Sequence, residues 1–245
     1  MNTSPMEGNL PVRMGGGAMF DRIARRYDRM NTLLSFGLHH LWRGRLIRAM
    51  ALSPGDEALD VACGTADVAI AAAKGHPEIQ VTGLDPSEGM LGVGEEKVTQ
   101  AGLSSRLTLT VGDAQCLPFE DNRFAATAIS FGIRNVPDRA LGLREMARVT
   151  RPGGRVCVLE LGVPRSGLLA PLARLHVRFI VPLLGRLFAG KDEYRYLQES
   201  VEGFPAPDEF ADLMAQNGLR DVTIQPQSFG AAHLYVGTVV DSSAE

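Results

Sequence analysis

From residue 57 onward the chain changes period, and that change limits the folds open to it. Short β-prone runs alternate with longer helix-prone runs. The strand candidates are Glu57–Ala62, Ile79–Asp85, Arg106–Gly112, Phe124–Ser130 and Arg155–Leu161. Between them lie Asp67–Lys74, Ser87–Gly102 and Asp138–Thr150, all with helical character. Strand–helix alternation implies a parallel sheet with helices on both faces. Arg151-Pro152-Gly153-Gly154 reads as the turn that ends a helix and starts the next strand. A helix around Pro207–Asn217 and strands at Asp221–Gln225 and His233–Val240 complete the α/β pattern.

Upstream, residues 1–18 read as a flexible tail, and Met19–Met50 has a helical pattern. The first 50 residues hold eight arginines against three acids, in a chain whose net charge is −3. That asymmetry marks either an anionic partner or a solvated helical face. The overall charge excludes a globally basic nucleic-acid binder, so no nucleic-acid partner is expected. Cys63, Cys116 and Cys157 form no CxxC pair, so neither a metal site nor a disulfide scaffold is expected. No basic-then-apolar signal segment opens the chain, and a cytoplasmic location is expected. The stretch Leu168–Phe188 is apolar but carries Arg174, His176, Arg178 and Arg186. A spanning helix needs about 20 nearly uncharged residues, so this stretch reads instead as an amphipathic helix. It either packs on the core or lies at a lipid interface.

Three candidate ligand sites fall at the carboxyl ends of strands, where open α/β sheets bind ligands. The first strand runs into Asp60-Val61-Ala62-Cys63-Gly64-Thr65-Ala66-Asp67, a small-residue turn that lets a ligand approach the backbone. Asp85 ends the second strand, where a carboxylate can accept both hydroxyls of a ribose. Asp113 and the Ala114 backbone N–H follow the third, suited to an adenine amino group and ring nitrogen. Asp85-Pro86-Ser87 also fits a simple helix start. The turn has no GxGxxG and no GxxxxGK[ST], so a cofactor without phosphates fits better than a dinucleotide. S-adenosylmethionine, adenosine joined to an amino acid, matches this set. Gly64 would lie against it, and Asp60 and Asp67 would serve its ammonium.

The order resembles that of class I methyltransferases, and the flanking strings narrow it. Phe20-Asp21-Arg22-Ile23-Ala24-Arg25-Arg26-Tyr27-Asp28-Arg29-Met30-Asn31 and Gly37-Leu38-His39-His40-Leu41-Trp42-Arg43 are similar to the N-terminal signature of the ubiquinone/menaquinone biosynthesis C-methyltransferases. So are Leu117-Pro118-Phe119, Ser130-Phe131-Gly132-Ile133-Arg134-Asn135 and Tyr194-Arg195-Tyr196-Leu197-Gln198-Glu199-Ser200. The resemblance covers about residues 19–235. One departure is Ala66, where the family usually has glycine; an alanine fits there if its φ is negative.

The resemblance implies a seven-stranded Rossmann-like sheet and a single methyltransferase domain over 19–240. Residues 19–50 would form a lid and 163–200 a substrate cover. It implies methylation of a ring carbon on a polyprenylated quinol, with demethylmenaquinol favoured. A methoxy-benzoquinol ring, another small aromatic or lipid substrate, and a non-catalytic cofactor-binding subunit are the alternatives. Cofactor contacts would include Asp60, Gly64, Thr65, Asp67, Asp85, Asp113, Ala114 and Ser130. Arg134 is the first catalytic candidate, a fixed cation for a phenolate; a surface ion pair with Asp138 is the competing reading. Asn135 would orient a substrate hydroxyl, and Tyr27 and His39 would face the site from the lid. A packed or capping role suits His39 as well, and Trp42 reads as a core anchor. A lipid substrate implies contact with an anionic surface at the inner face of the membrane; a homodimer stays open.

Overall fold

A computed structural model describes residues 17–162 and 191–240. Residues 163–190 of the expected substrate cover at 163–200, including Leu168–Phe188, and most of the N-terminal tail lie outside them. Two helices open the described chain, α1 (Gly17–Leu34) and α2 (Leu38–Met50). The single helical pattern of Met19–Met50 is thus divided at a turn, where Gly37 holds φ +75°. There follow β1 (Glu57–Val61), α3 (Asp67–Gly75), β2 (Gln80–Asp85), α4 (Glu88–Gln100), β3 (Leu107–Val111) and β4 (Phe124–Ser130). A 3₁₀ turn (Ile133–Asn135), α5 (Arg139–Val149) and β5 (Thr150–Leu161) come next. The described residues end with α6 (Lys191–Glu202), α7 (Pro207–Ala215), β6 (Leu219–Gln227), a 3₁₀ turn (Ser228–Gly230) and β7 (Ala232–Val239).

The strands make one seven-stranded sheet in the order β3-β2-β1-β4-β5-β7-β6. β1 to β5 are parallel, and β7 runs antiparallel between β5 and β6. The strand order reverses between β1 and β4, so the loops after them open a crevice at their carboxyl ends. β5 begins earlier than the sequence reading places it. Its pairing with β4 steps from Phe124↔Thr150 to Ala126↔Arg155, so the Pro-Gly-Gly turn is an irregularity inside the strand.

Alternation sorts the strand residues onto two buried faces. Ala58, Ala126, Ala128, Cys157 and Leu159 meet Trp42, Leu46, Ala69 and Ala72 from α2 and α3. Leu59, Val61, Ile129, Val156 and Val158 meet Leu143, Met146, Phe210 and Met214 from α5 and α7. Small residues on the first face leave room for the Trp42 ring. Each fully buried large apolar side chain contributes about 1.5–3 kcal/mol.

Local caps set the helix starts. Ser87 accepts from the Met90 N–H at 3.1 Å and Asp138 from the Leu141 N–H at 2.9 Å. Asp138 is therefore occupied as a cap, and the ion pair weighed for it with Arg134 is not formed. α2 runs antiparallel to β5: its last turn meets Arg155, whose Nη1 donates to the Ala49 carbonyl at 2.8 Å. The first turn of α2 therefore stands at the ligand edge of the sheet.

Candidate active site

Asp60 ends its side chain under the loop after β1. It is 2% exposed and accepts one backbone bond, from the Ala69 N–H at 3.1 Å. Burial pushes its pKa up to about 7, with the Ala69 bond and Arg43 opposing. Asp85 accepts the Gly64 N–H at 2.8 Å and the Ser87 N–H at 2.9 Å, tying the ends of β1 and β2 together. Burial raises the Asp85 pKa despite those two bonds, and the Asp21 charge adds to it. Each oxygen keeps a second lone pair for a ligand hydroxyl.

Gly64 sits at φ +55°, and a Cβ there would lie 4.0 Å from the Tyr27 ring. A Cβ on Gly132 would stand 2.8 Å from the Ala62 Cβ, so the loops after β1 and β4 are in contact. Ala66 has φ +63°. The condition set for an alanine there, a negative φ, is not met; the alanine occupies the left-handed backbone that favours glycine. Ala62, at φ +51°, does the same.

α1 crosses this edge and is fastened to it. Asp21 accepts from the Ser87 hydroxyl at 2.5 Å and the Gly89 N–H at 3.0 Å. Asp28 accepts from the Thr65 hydroxyl at 2.6 Å and pairs with Lys97 at 2.9 Å. Asp67 is engaged on both oxygens, by Arg43 at 2.5 Å and by Lys97. Burial alone would raise the Asp67 pKa, but these two cations hold it below its usual range. Arg43 is thus one N-terminal arginine spent inside the protein, not on a solvated face. Asp113 is exposed and accepts from the Gln115 N–H at 2.9 Å, and Ala114 beside it is buried.

Arg134 stands beyond β4 with its side chain only 7% exposed. Its Nη1 donates to Glu160 Oε1 at 2.7 Å and to the Phe131 carbonyl at 2.5 Å. Its own N–H donates to Glu160 Oε2 at 3.2 Å, and its Nε is buried without a partner. Glu160, on β5, is completely buried and also takes the Leu161 N–H at 2.8 Å. The sequence reading missed Glu160; the signal was an acid at the ligand end of the apolar run Val156–Leu159. Asn135 Oδ1 accepts from the Tyr196 hydroxyl at 3.0 Å. Burial raises the Tyr196 pKa against the Arg134 charge, so the phenol stays protonated and donating.

Tyr27 faces Gly64 from α1. His39 is buried at the α1–α2 turn, its Nδ1 2.7 Å from the Ser35 hydroxyl. Burial, then Arg43 and His40, lower its pKa to about 4, leaving a neutral imidazole. Trp42 is buried with its ring 6.3 Å from Phe131, and its Nε1 donates to the Ser228 hydroxyl at 3.0 Å.

The Ser130 hydroxyl is buried with no partner, beside the crevice. With a nearly unsatisfied Asp60 and a bare Gly64 backbone, it makes a set that fits an adenosyl amino acid. Among the described residues no cluster of His, Cys, Asp and Glu could hold a metal ion. Nor is any helix there long and apolar enough to cross a membrane.

Known proteins share this fold. A candidate S-adenosyl-L-methionine-dependent methyltransferase of Methanococcus maripaludis superposes with a TM-score of 0.66 at 17% identity, over 100% of both chains. Phosphoethanolamine N-methyltransferase 2 of Haemonchus contortus, solved with S-adenosyl-L-methionine, gives 0.62 at 16% identity over 82% of this chain and 52% of that one. At such identities these likenesses establish the fold, a Rossmann-like methyltransferase sheet. Sequence relatives are nearer. The demethylmenaquinone methyltransferase of Geobacillus kaustophilus is 46% identical over 221 residues, 89% of this chain and 94% of the relative. The ubiquinone/menaquinone biosynthesis C-methyltransferase of Geobacter sulfurreducens is 42% identical over 220 residues, 89% and 86% of the two chains. The ubiE/COQ5 methyltransferase family model matches residues 14–239, and the chain belongs to that family.

Proposed function

We propose that this enzyme methylates a ring carbon of demethylmenaquinol, using S-adenosylmethionine. One observation carries the reading: the Arg134 guanidinium, locked by the buried Glu160 carboxylate, with an unpartnered Nε at the ligand edge. When bound, S-adenosylmethionine supplies an electrophilic methyl group. Asp85 would accept its ribose hydroxyls, Asp113 and the Ala114 N–H its adenine, and Asp60, Gly64 and Ser130 its amino-acid end. Thr65 and Asp67 hold the floor of that site through Asp28, Lys97 and Arg43. Tyr27 and α1 cover it, and His39 stiffens the α1–α2 turn.

The ring carbon becomes nucleophilic once a neighbouring hydroxyl releases its proton. A phenol has a pKa of about 10, so a phenolate at neutral pH needs help. Arg134 supplies a fixed cation and donor for the phenolate oxygen in a water-poor site. Glu160 keeps that guanidinium from swinging away. Asn135, fixed through its carbonyl by Tyr196, is free to orient a ring hydroxyl with its amide N–H groups. Alignment is what the methyl transfer chiefly requires. With the cofactor bound, the ring carbon would take the methyl group from the sulfonium, and the ring proton would pass to water as aromaticity returns.

In this reading residues 19–240 act as one methyltransferase domain. The enzyme is cytoplasmic and meets its prenylated substrate at the inner face of the membrane, alone or as a homodimer. The test is methyl incorporation from labelled cofactor into reduced demethylmenaquinone, with a methoxy-benzoquinol as competitor. Preference for the naphthoquinol supports the reading; preference for the benzoquinol replaces it with the ubiquinone-type substrate. Cofactor binding without release of S-adenosylhomocysteine would leave only a binding subunit. Arg134→Lys should lose methyl transfer yet keep calorimetric cofactor affinity, and Asp85→Ala should lose affinity. Normal turnover in the first, or normal affinity in the second, rejects that residue's role.

A further inference from the structure

Two phenylalanines combine wide exposure with left-handed backbone. Phe36, in the α1–α2 turn, is 68% exposed at φ +50°. Phe229, in the 3₁₀ turn before β7, is 62% exposed at φ +62°. Left-handed backbone is strained for any residue with a Cβ, and strain of this kind persists where function holds it. Leu38 and Leu41, on the first turn of α2, are 40% and 49% exposed.

These side chains come from neighbouring segments. Trp42 donates to Ser228, and Arg45 donates to Gln227, so the turn carrying Phe229 is fastened to the start of α2. The face also adjoins the active site. The Trp42 ring packs on Phe131, whose carbonyl accepts from Arg134. Along α1, Arg22, Arg26, Arg29 and Leu33 follow one another at helical spacing, and Phe36 lies two residues beyond the helix end. Arg26 and Arg29 are exposed and form no ion pair with any described residue. A basic stripe therefore leads to an apolar tip at the mouth of the catalytic crevice.

We propose that this face docks on an anionic phospholipid bilayer. Phe36, Leu38, Leu41 and Phe229 enter the boundary between headgroups and acyl chains, and Arg26 and Arg29 meet the headgroup charges. A second copy of the chain fits less well, because a two-fold contact would set one arginine stripe against another. The proposal deepens the quinol reading, since docking here would bring the mouth of the crevice to a lipid-borne ring. Its test does not depend on that reading.

The experiment is flotation of the full chain with phosphatidylcholine vesicles, with and without phosphatidylglycerol. The parent should float with the anionic vesicles and much less with the neutral ones. F36S/L41S/F229S and R26Q/R29Q should each lower the partition coefficient by about tenfold or more. Circular dichroism and thermal midpoints should match the parent, and turnover of a short-chain quinol in solution should be unchanged. Turnover of a vesicle-embedded quinol should fall. No flotation of the parent, or unchanged flotation of either variant, overturns the proposal. A parent that floats but methylates no quinol would defeat the functional reading and leave the docking face standing.

Discussion

Glu160→Gln isolates the buried acid on which the Arg134 geometry depends. In the parent, the carboxylate receives three donors: Arg134 Nη1 at 2.7 Å, the Arg134 N–H at 3.2 Å and the Leu161 N–H at 2.8 Å. Glutamine has nearly the same shape, but one of its two polar ends is itself a donor. It would leave a guanidinium with a 7% exposed side chain and no counter-charge. Removing one partner of a buried pair costs about 3–5 kcal/mol. The remaining carbonyl oxygen still accepts one or two bonds, so about 3 kcal/mol is expected. For a chain of this size that corresponds to a thermal midpoint lower by about 6–12 °C. Urea unfolding of the parent, Glu160→Gln, Arg134→Gln and the double variant gives the full cycle. The double variant should be more stable than the two single losses added together, with coupling of about 2 kcal/mol or more. Cofactor affinity should change little in Glu160→Gln, while kcat falls. A loss under about 1 kcal/mol with no coupling would refute the idea that Glu160 holds Arg134.

Two further outcomes concern the crevice. Between about pH 4 and 7 the folded protein keeps a proton on Asp60 that the unfolded chain has released, so this group's contribution falls as pH rises. Asp60→Asn should remove that fall, on the order of a few kcal/mol, in urea titrations at stepped pH. His39 opposes it: neutral in the fold down to about pH 4, it favours the fold more as pH rises through the same interval. A parent and an Asp60→Asn variant with parallel pH profiles would exclude a buried neutral Asp60. Ala66→Gly relieves about 1–2 kcal/mol of left-handed strain, against a lost buried methyl of about 0.8 kcal/mol and a looser unfolded chain of about 0.4–1 kcal/mol. Stability within about 1 kcal/mol of the parent is expected by urea unfolding; a loss above about 2 kcal/mol would show that the methyl matters more than the backbone.

What could be read in the sequence was governed by period and position. Strand–helix alternation located every strand of the sheet, and Asp60 and Asp85 announced themselves as acids at strand ends. Glu160 stands in the same kind of position, yet its partner is 26 residues away and pairs with it only once β4 and β5 lie side by side. Asp21 and Asp28 looked like the minority charges of a basic helix. Their partners, Ser87, Thr65 and Lys97, come from elements that α1 meets only in the folded chain. The φ of Ala66 was not legible for a related reason. The side chain argued for ordinary backbone, while the turn between β1 and α3 imposed its own geometry. Arg43 shows the same limit from the charge side. Counted along the chain it looked like excess, and Asp67 absorbs it in three dimensions.

The chain contains a single tryptophan, and it is Trp42. Its indole sits where α2, the loop after β4 and the turn before β7 converge. All intrinsic indole emission therefore arises from that one junction. Any shift in its wavelength or its quenching reports how firmly α2 rests on the sheet, with no label attached and no chemistry taking place. The fold thereby carries its own optical gauge of α2 docking, readable on the timescale of a stopped-flow mixing experiment.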